Sequence, residues 1–252
     1  MPTGDKTTQS EAVDTAPTQS RKLNVPVGVL VAELVGTFIL TAALIATNAQ
    51  PLYAFFILAA LTAIIGALSG AHLNPAITFA AWITRRMTIL RALGYIVAQF
   101  AGAMLAFATL NALLGGAPGS VNPYTGQNVP AELFKTASLA EGKEWYALLA
   151  EVLGASILGF AVAHALSEKR ERFAAGFSAG GGLFLGLVIA GTTAVLNPAV
   201  AVATQALKFE SWSIAVYVVG AVVGVTVGFL IHKLVRYDID KSDEETTAKL
   251  AM

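Results

Sequence analysis

The chain has 252 residues, 56% of them hydrophobic and 13% charged, with no formal net charge at neutral pH and a mean hydropathy of +0.67. That balance describes a membrane protein rather than one or two soluble domains, and it gives no footing for nucleic-acid binding, because the basic residues sit in short clusters beside apolar runs. The absence of cysteine removes disulfides, thiolate metal sites and cysteine nucleophiles together, and three scattered histidines (His72, His164, His232) argue against a metal cluster.

Residues 1–22 are Thr-, Ser- and Gln-rich with mixed charge and read as a disordered tail. They lack the apolar core of a signal peptide. The first apolar span, 26–47, is long enough to cross about 30 Å of hydrocarbon at about 1.5 Å per residue. Asn48 to Pro51 turns the chain back into a second span, 52–68. Ser69 to Leu73 then leads into 75–83, an apolar run too short to cross, which reads as a half-helix. A third span covers 88–114, after Arg85, Arg86 and Arg91. Residues 115–142 form a polar, turn-rich outer loop holding Pro118, Pro123 and Pro130. A fourth span, 144–166, is followed by a basic loop (Lys169, Arg170, Arg172) and by a Gly-rich fifth span, 177–193. A second half-helix, 198–207, precedes a sixth crossing, 211–235, and a charged tail over 237–252. The membrane-embedded body is therefore 23–236, divided into 26–114 and 143–236 by the outer loop.

The two halves repeat. Asn74-Pro75-Ala76 recurs as Asn197-Pro198-Ala199, Ala32-Glu33-Leu34-Val35-Gly36 as Ala150-Glu151-Val152-Leu153-Gly154, and Tyr95 to Gly102 as Tyr217 to Gly224. The three offsets, 118 for Glu, 123 for Asn and 122 for Tyr, differ only as loop lengths would make them. Each half holds three crossings, so the second enters the membrane from the opposite side and the repeat is inverted. With both tails cytoplasmic, the inner segments carry Arg21, Lys22, Arg85, Arg86, Arg91, Lys169, Arg170, Arg172, Lys233 and Arg236, and the outer ones only Lys135, Lys143 and Lys208. This matches the positive-inside bias.

Half-helices approaching from each face bring two N-termini, each with about half a positive charge, to mid-membrane. Cations and hydronium meet a barrier there. Asn74 and Asn197 cap those ends, with Pro75 and Pro198 at the first helical position, which leaves the carboxamide N–H2 to donate to a passing oxygen. Glu33 and Glu151 lie inside apolar spans, where an ionised side chain needs partners.

These paired motifs, the inverted three-plus-three halves and the two glutamates resemble the aquaporin, or major intrinsic protein, family over residues 26–236. The resemblance implies an all-α membrane protein, an aquaporin-like right-handed bundle of six transmembrane helices and two re-entrant half-helices. It also implies a homotetramer in the cell membrane, no cofactor, and Glu33 and Glu151 each accepting from backbone N–H groups of a re-entrant segment. His72 lines or props the cytoplasmic mouth. In the family an Arg follows the second motif in the outer constriction. Here that position is Val200, and counting back from the motifs puts the other ring positions at Ala54, Leu185 and Ala194, none of them polar. Phe55 takes the ring place if the register shifts by one. Lys135, Lys143, Asn122, Tyr124 or Asn128 from the outer loop are the groups that could restore polarity. Trp82 and Trp145 read as interfacial anchors.

The expected function is passive passage of water and small uncharged solutes such as glycerol or urea through an apolar outer ring. The alternatives are a secondary transporter coupled through Glu33 or Glu151 and a poorly selective pore for ammonia or carbon dioxide. No nucleophile, base and orienting group converge, so an enzyme is not expected. The partners expected are the permeating solutes, lipid and further copies of the chain.

Overall fold

The computed structural model describes residues 25–114, 119–121, 123–129, 132–167 and 171–250. The tail read over 1–22, Asn122, Lys169 and Arg170 lie outside them. The helices are α1 (Val27–Ala46), α2 (Pro51–Ile65), α3 (Pro75–Ile83), α4 (Ile89–Leu114), α5 (Glu144–Ala165), α6 (Arg172–Ala190) and α7 (Pro198–Ala203). A last rod runs through α8 (Ser211–Ile214), a π-helical stretch (Ala215–Gly220) and α9 (Ala221–Leu250).

Five of these segments are long and apolar enough to cross a membrane: α1, α4, α5, α6 and residues Ser211–Ile239. The sixth expected span, α2, has 15 helical residues, about 22 Å at about 1.5 Å each. Turn bonds from Leu68 and Ser69 to Ile65 and from Gly70 to Gly66 prolong its path toward the first half-helix. Apolar residues face outward as well as inward. Val27, Val31, Val35 and Ile39, four apart along α1, are all exposed, as expected where the solvent is lipid.

The two halves pack alike in their main pair only, because α5 also lies closely on α6 whereas α1 touches α2 much less. α1 lies on α4 as α5 lies on α9, and α2 lies on α6 to join the halves. Each half-helix also packs on the last helix of the opposite repeat, α3 on α9 and α7 on α4. Close approach depends on glycine at matched positions. A Cβ on Gly102 would collide with the Leu34 carbonyl oxygen, and one on Gly224 with that of Val152. Small residues do this in membranes because lipid supplies no hydrophobic drive between helices.

Two expectations change in detail. The outer loop, read as a turn-rich connection, contains a short antiparallel hairpin in which Ser120 pairs with Val129 and Val121 with Asn128. The segment read as a charged tail beyond 236 continues as helix to Leu250, since residues 236–250 contain neither Gly nor Pro to stop it.

Gly224→Val must push α5 and α9 apart. It is expected to lower the thermal midpoint of the detergent-solubilised protein, with a destabilisation of at least about 1–3 kcal/mol. Gly28→Val, where a Cβ meets nothing within 4 Å, should leave the midpoint unchanged.

Candidate functional site

The site begins with two leucines in a conformation that leucine rarely adopts. Leu73 has φ 50° and Leu196 φ 59°, the left-handed region, which costs a residue with a Cβ about 1–2 kcal/mol. Both are fully buried, and each is held at both ends. The Leu73 N–H donates to Glu33 Oε2 at 2.8 Å, and its carbonyl accepts from Asn197 Nδ2 at 2.9 Å. The Leu196 N–H donates to Glu151 Oε1 at 2.7 Å, and its carbonyl accepts from Asn74 Nδ2 at 2.8 Å.

Asn74 and Asn197 are thus tied crosswise between the repeats. Each also caps its own half-helix: Asn74 Oδ1 accepts from the Ala76 N–H at 2.8 Å, and Asn197 Oδ1 from the Ala199 N–H at 3.0 Å. Pro75 and Pro198 open α3 and α7. The cap fixes which end of each carboxamide is oxygen. Of the two N–H bonds on each nitrogen, one is spent on the opposite leucine and one remains.

The two glutamates are buried but differently served. Glu33 accepts from four donors: Ser69 Oγ at 2.6 Å, the His72 N–H at 3.0 Å, the Leu73 N–H and Gln99 Nε2 at 2.8 Å. Glu151 accepts from the Val195 N–H at 3.0 Å and the Leu196 N–H. All of these partners donate. His72 is buried, and its Nδ1 lies 3.2 Å from Thr78 Oγ1. In the second half Thr192, Val195, Ala201 and Ala221 occupy the places of Ser69, His72, Thr78 and Gln99, so the polar cluster is not repeated. Tyr95 donates to the Ser69 carbonyl at 2.7 Å, whereas the hydroxyl of its counterpart Tyr217, on the π-helical stretch, has no partner in the structure.

Four spaces bear on the site; the first and the central void share Leu44, Leu183 and Val195 in their linings, and His72 borders both the void and the last. On the face where residues 132–142 lie, called outer for the side the charge bias favours, a cavity of about 530 Å³ is bounded by Lys135, Thr136, Leu183, Leu187, Ala194, Val195 and Val200, among others. A void of about 20 Å³ lies at the centre between Leu40, Leu44, Leu58, Ile77, Leu158 and Leu183, with His72, Asn74, Val195 and Asn197. That is room for about one water, which needs about 10–15 Å³ on this measure. On the inner side, a cavity of about 360 Å³ contains Thr62, Val162 and Ala179, each one turn beyond Leu58, Leu158 and Leu183, together with Gly70 and Ala71. A second inner cavity of about 630 Å³ reaches His72, Arg86, Arg91 and Tyr95.

Of the four ring positions, Ala194 and Val200 line the outer cavity; the other two are corrected. Leu185 is 50% exposed on the outer surface of α6. It stands two residues, about 200°, from Leu183 and Leu187, which face inward. Ala54 lies one turn outward of Leu58 on the same face of α2, but it is wholly buried and borders none of these spaces. Of the loop groups, Lys135 borders the outer cavity, while Lys143, Tyr124 and Asn128 do not. The sequence reading missed the central leucine collar. Its signal was the repeat itself: Leu40 and Leu158 carry the glutamate offset of 118.

Residues 52–232 match the family model described as major intrinsic protein. Among curated proteins, the chain is 32% identical to "Aquaporin NIP1-1" of Zea mays over 176 residues, 69% of this chain and 57% of that protein. It is 30% identical to "Nodulin-26" of Glycine max over 235 residues, 86% of this chain and 81% of that one. The match therefore spans little more than half the length of the maize relative. Among solved structures, the aquaglyceroporin from Plasmodium falciparum superposes with a TM-score of 0.61 at 18% identity, over 82% of this chain and 95% of that one. This last likeness establishes the fold.

Glu33→Gln turns an amide N–H2 toward groups that themselves donate. It should destabilise by about 1–3 kcal/mol and lower the thermal midpoint more than Glu151→Gln, which meets two donors rather than four.

Proposed function

The chain belongs to the major intrinsic protein family, and on that footing we propose that it is a passive channel for water and slender uncharged solutes such as glycerol or urea. The observation that carries the reading is the central void, where Asn74 and Asn197 meet inside a collar of leucines with open cavities on either side. A solute passing there sheds most of its water against apolar walls and regains hydrogen bonds from the free N–H of each carboxamide. The same donors orient a water at the centre with its oxygen toward both asparagines, which interrupts a proton-conducting wire. The N-termini of α3 and α7, with Lys135 at the outer mouth, oppose cations.

Val200 in place of an arginine leaves the outer cavity broad and largely apolar, so the narrowest passage in this reading is the collar rather than the outer ring. Exclusion is then by cross-section and by the cost of stripping a charged or bulky polar solute. Proton coupling at Glu33 or Glu151 has no comparable support, because every partner of both carboxylates donates and none is placed to receive a proton. The chain is a multi-pass integral membrane protein. We place it in the cell membrane with both termini cytoplasmic, on the strength of the charge bias, and as a homotetramer on the strength of the family it belongs to.

The decisive experiment is stopped-flow light scattering of proteoliposomes under impermeant, glycerol and urea gradients, with a pH dye to report proton leak. Wild type is expected to pass water and glycerol without leak, and Val200→Arg to cut glycerol flux about tenfold or more, a change of at least about 1.4 kcal/mol in barrier. Glycerol flux indifferent to arginine at position 200 and to leucine at position 197 would overturn the reading. Leu183→Ala opens the collar and should raise glycerol flux relative to water flux, at a stability cost of about 2–5 kcal/mol.

A further inference from the structure

His164 and His232 are 68 positions apart in sequence and belong to neither the crosswise asparagine tie nor the collar. The packing of α5 on α9 brings their rings together, with centroids 5.8 Å apart and planes at 58°. His232 is 3% exposed, and neither its Nδ1 nor its Nε2 has a hydrogen-bond partner in the structure. A neutral imidazole carries one N–H donor and one acceptor nitrogen, and leaving such a group unpaired inside a protein costs about 1–3 kcal/mol. The neighbouring Phe160 ring, edge-on at 5.6 Å, supplies neither partner. His164 is exposed near the end of α5.

We propose that His164 and His232 form a two-imidazole site for a late first-row transition metal ion, Zn2+, Cu2+ or Ni2+, bridging α5 and α9. A metal about 2.0–2.1 Å from one nitrogen of each ring lies about 3.2 Å from each centroid, so the centroids stand about 5.2 Å apart at a tetrahedral angle and about 6.4 Å apart in a linear arrangement. The observed separation falls between these limits. Imidazole nitrogen suits these ions and not Mg2+ or Ca2+, which take oxygen ligands. No third His, Cys, Asp or Glu joins the pair among the described residues, so water or a small anion on the exposed side completes the coordination.

The surroundings set the strength of the site. Arg86 donates to the Ala163 carbonyl at 3.1 Å and lies over the Phe229 ring at 5.2 Å. It and Arg236 both act electrostatically on His232. Their repulsion of a dication holds the affinity well below that of a closed four-ligand site. A bound ion ties the inner ends of α5 and α9 together and places its charge near Arg86, which borders the larger inner cavity.

The test is a calorimetric titration of the full chain in detergent, freed of any polyhistidine tag, with ZnCl2, CuCl2 and, as a control, MgCl2. One saturable site per chain is expected for zinc and copper and none for magnesium. His164→Ala, an exposed change that spares the fold, should weaken binding at least about tenfold, since loss of a ligand exceeds the 10–100-fold effects of its outer-shell partners. His164→Ala should also abolish the zinc-induced rise in thermal midpoint that ligand linkage requires. Absence of saturable zinc binding, unaltered affinity in His164→Ala, or loss of the site through His72→Asn instead would each overturn the proposal.

Discussion

The left-handed turn at Leu73 and Leu196 is the constraint on which the rest of the structure depends. A leucine held at positive φ relaxes unless something outside it fixes both of its backbone groups. Here a buried glutamate takes the N–H and an asparagine from the opposite repeat takes the carbonyl. The strain is therefore supported jointly by the two halves. Neither half-helix is braced without the other, and the void at the centre exists because two chain segments that cannot cross the membrane are held end to end within it.

That junction explains why polar atoms sit so deep in an apolar bundle. The re-entrant segments leave backbone groups unpaired at mid-membrane, where each orphan costs several kcal/mol. Glu33 and Glu151 answer that demand from neighbouring helices. The answer is lopsided. Around Glu33, Ser69, His72, Thr78 and Gln99 form a connected polar cluster; around Glu151 the corresponding side chains are mostly apolar. A duplicated scaffold has thus diverged into a polar inner half and an apolar outer half, and the passage between them is not symmetrical in chemistry although its backbone repeats.

The leucine collar follows the same duplication in one of its pairs, since Leu40 and Leu158 keep the glutamate offset of 118. Leu40 with Leu158 and Leu58 with Leu183 ring the void from four helices, and the next turn in each direction opens into a cavity. Val200 stands in the wall of a largely apolar outer cavity, and in the channel proposed above the restriction falls to the level of the asparagines. In the proposed function, a wide outer mouth, an apolar waist and two oriented donors are what would select a thin, neutral, polar solute.

Sequence alone determined what depends on local pattern and on repetition. Apolar spans, two Asn-Pro-Ala caps, matched glutamates and an odd number of crossings per half are all read along the chain, and the inverted topology follows by counting. Tertiary structure decided what depends on helix rotation. Leu185 was counted into the ring by its distance from Asn197 along the sequence, yet two residues on a helix are about 200° of turn, and the side chains that face inward are Leu183 and Leu187. Ala54 lies on the correct face of α2 but is covered by its neighbours. The crossing of the asparagines to opposite leucines, the meeting of His164 with His232 and the helical continuation to Leu250 were likewise hidden. The first two join residues far apart in the chain, which no local period encodes, and the third rests on the absence of a stop signal in a charged segment rather than on an apolar pattern.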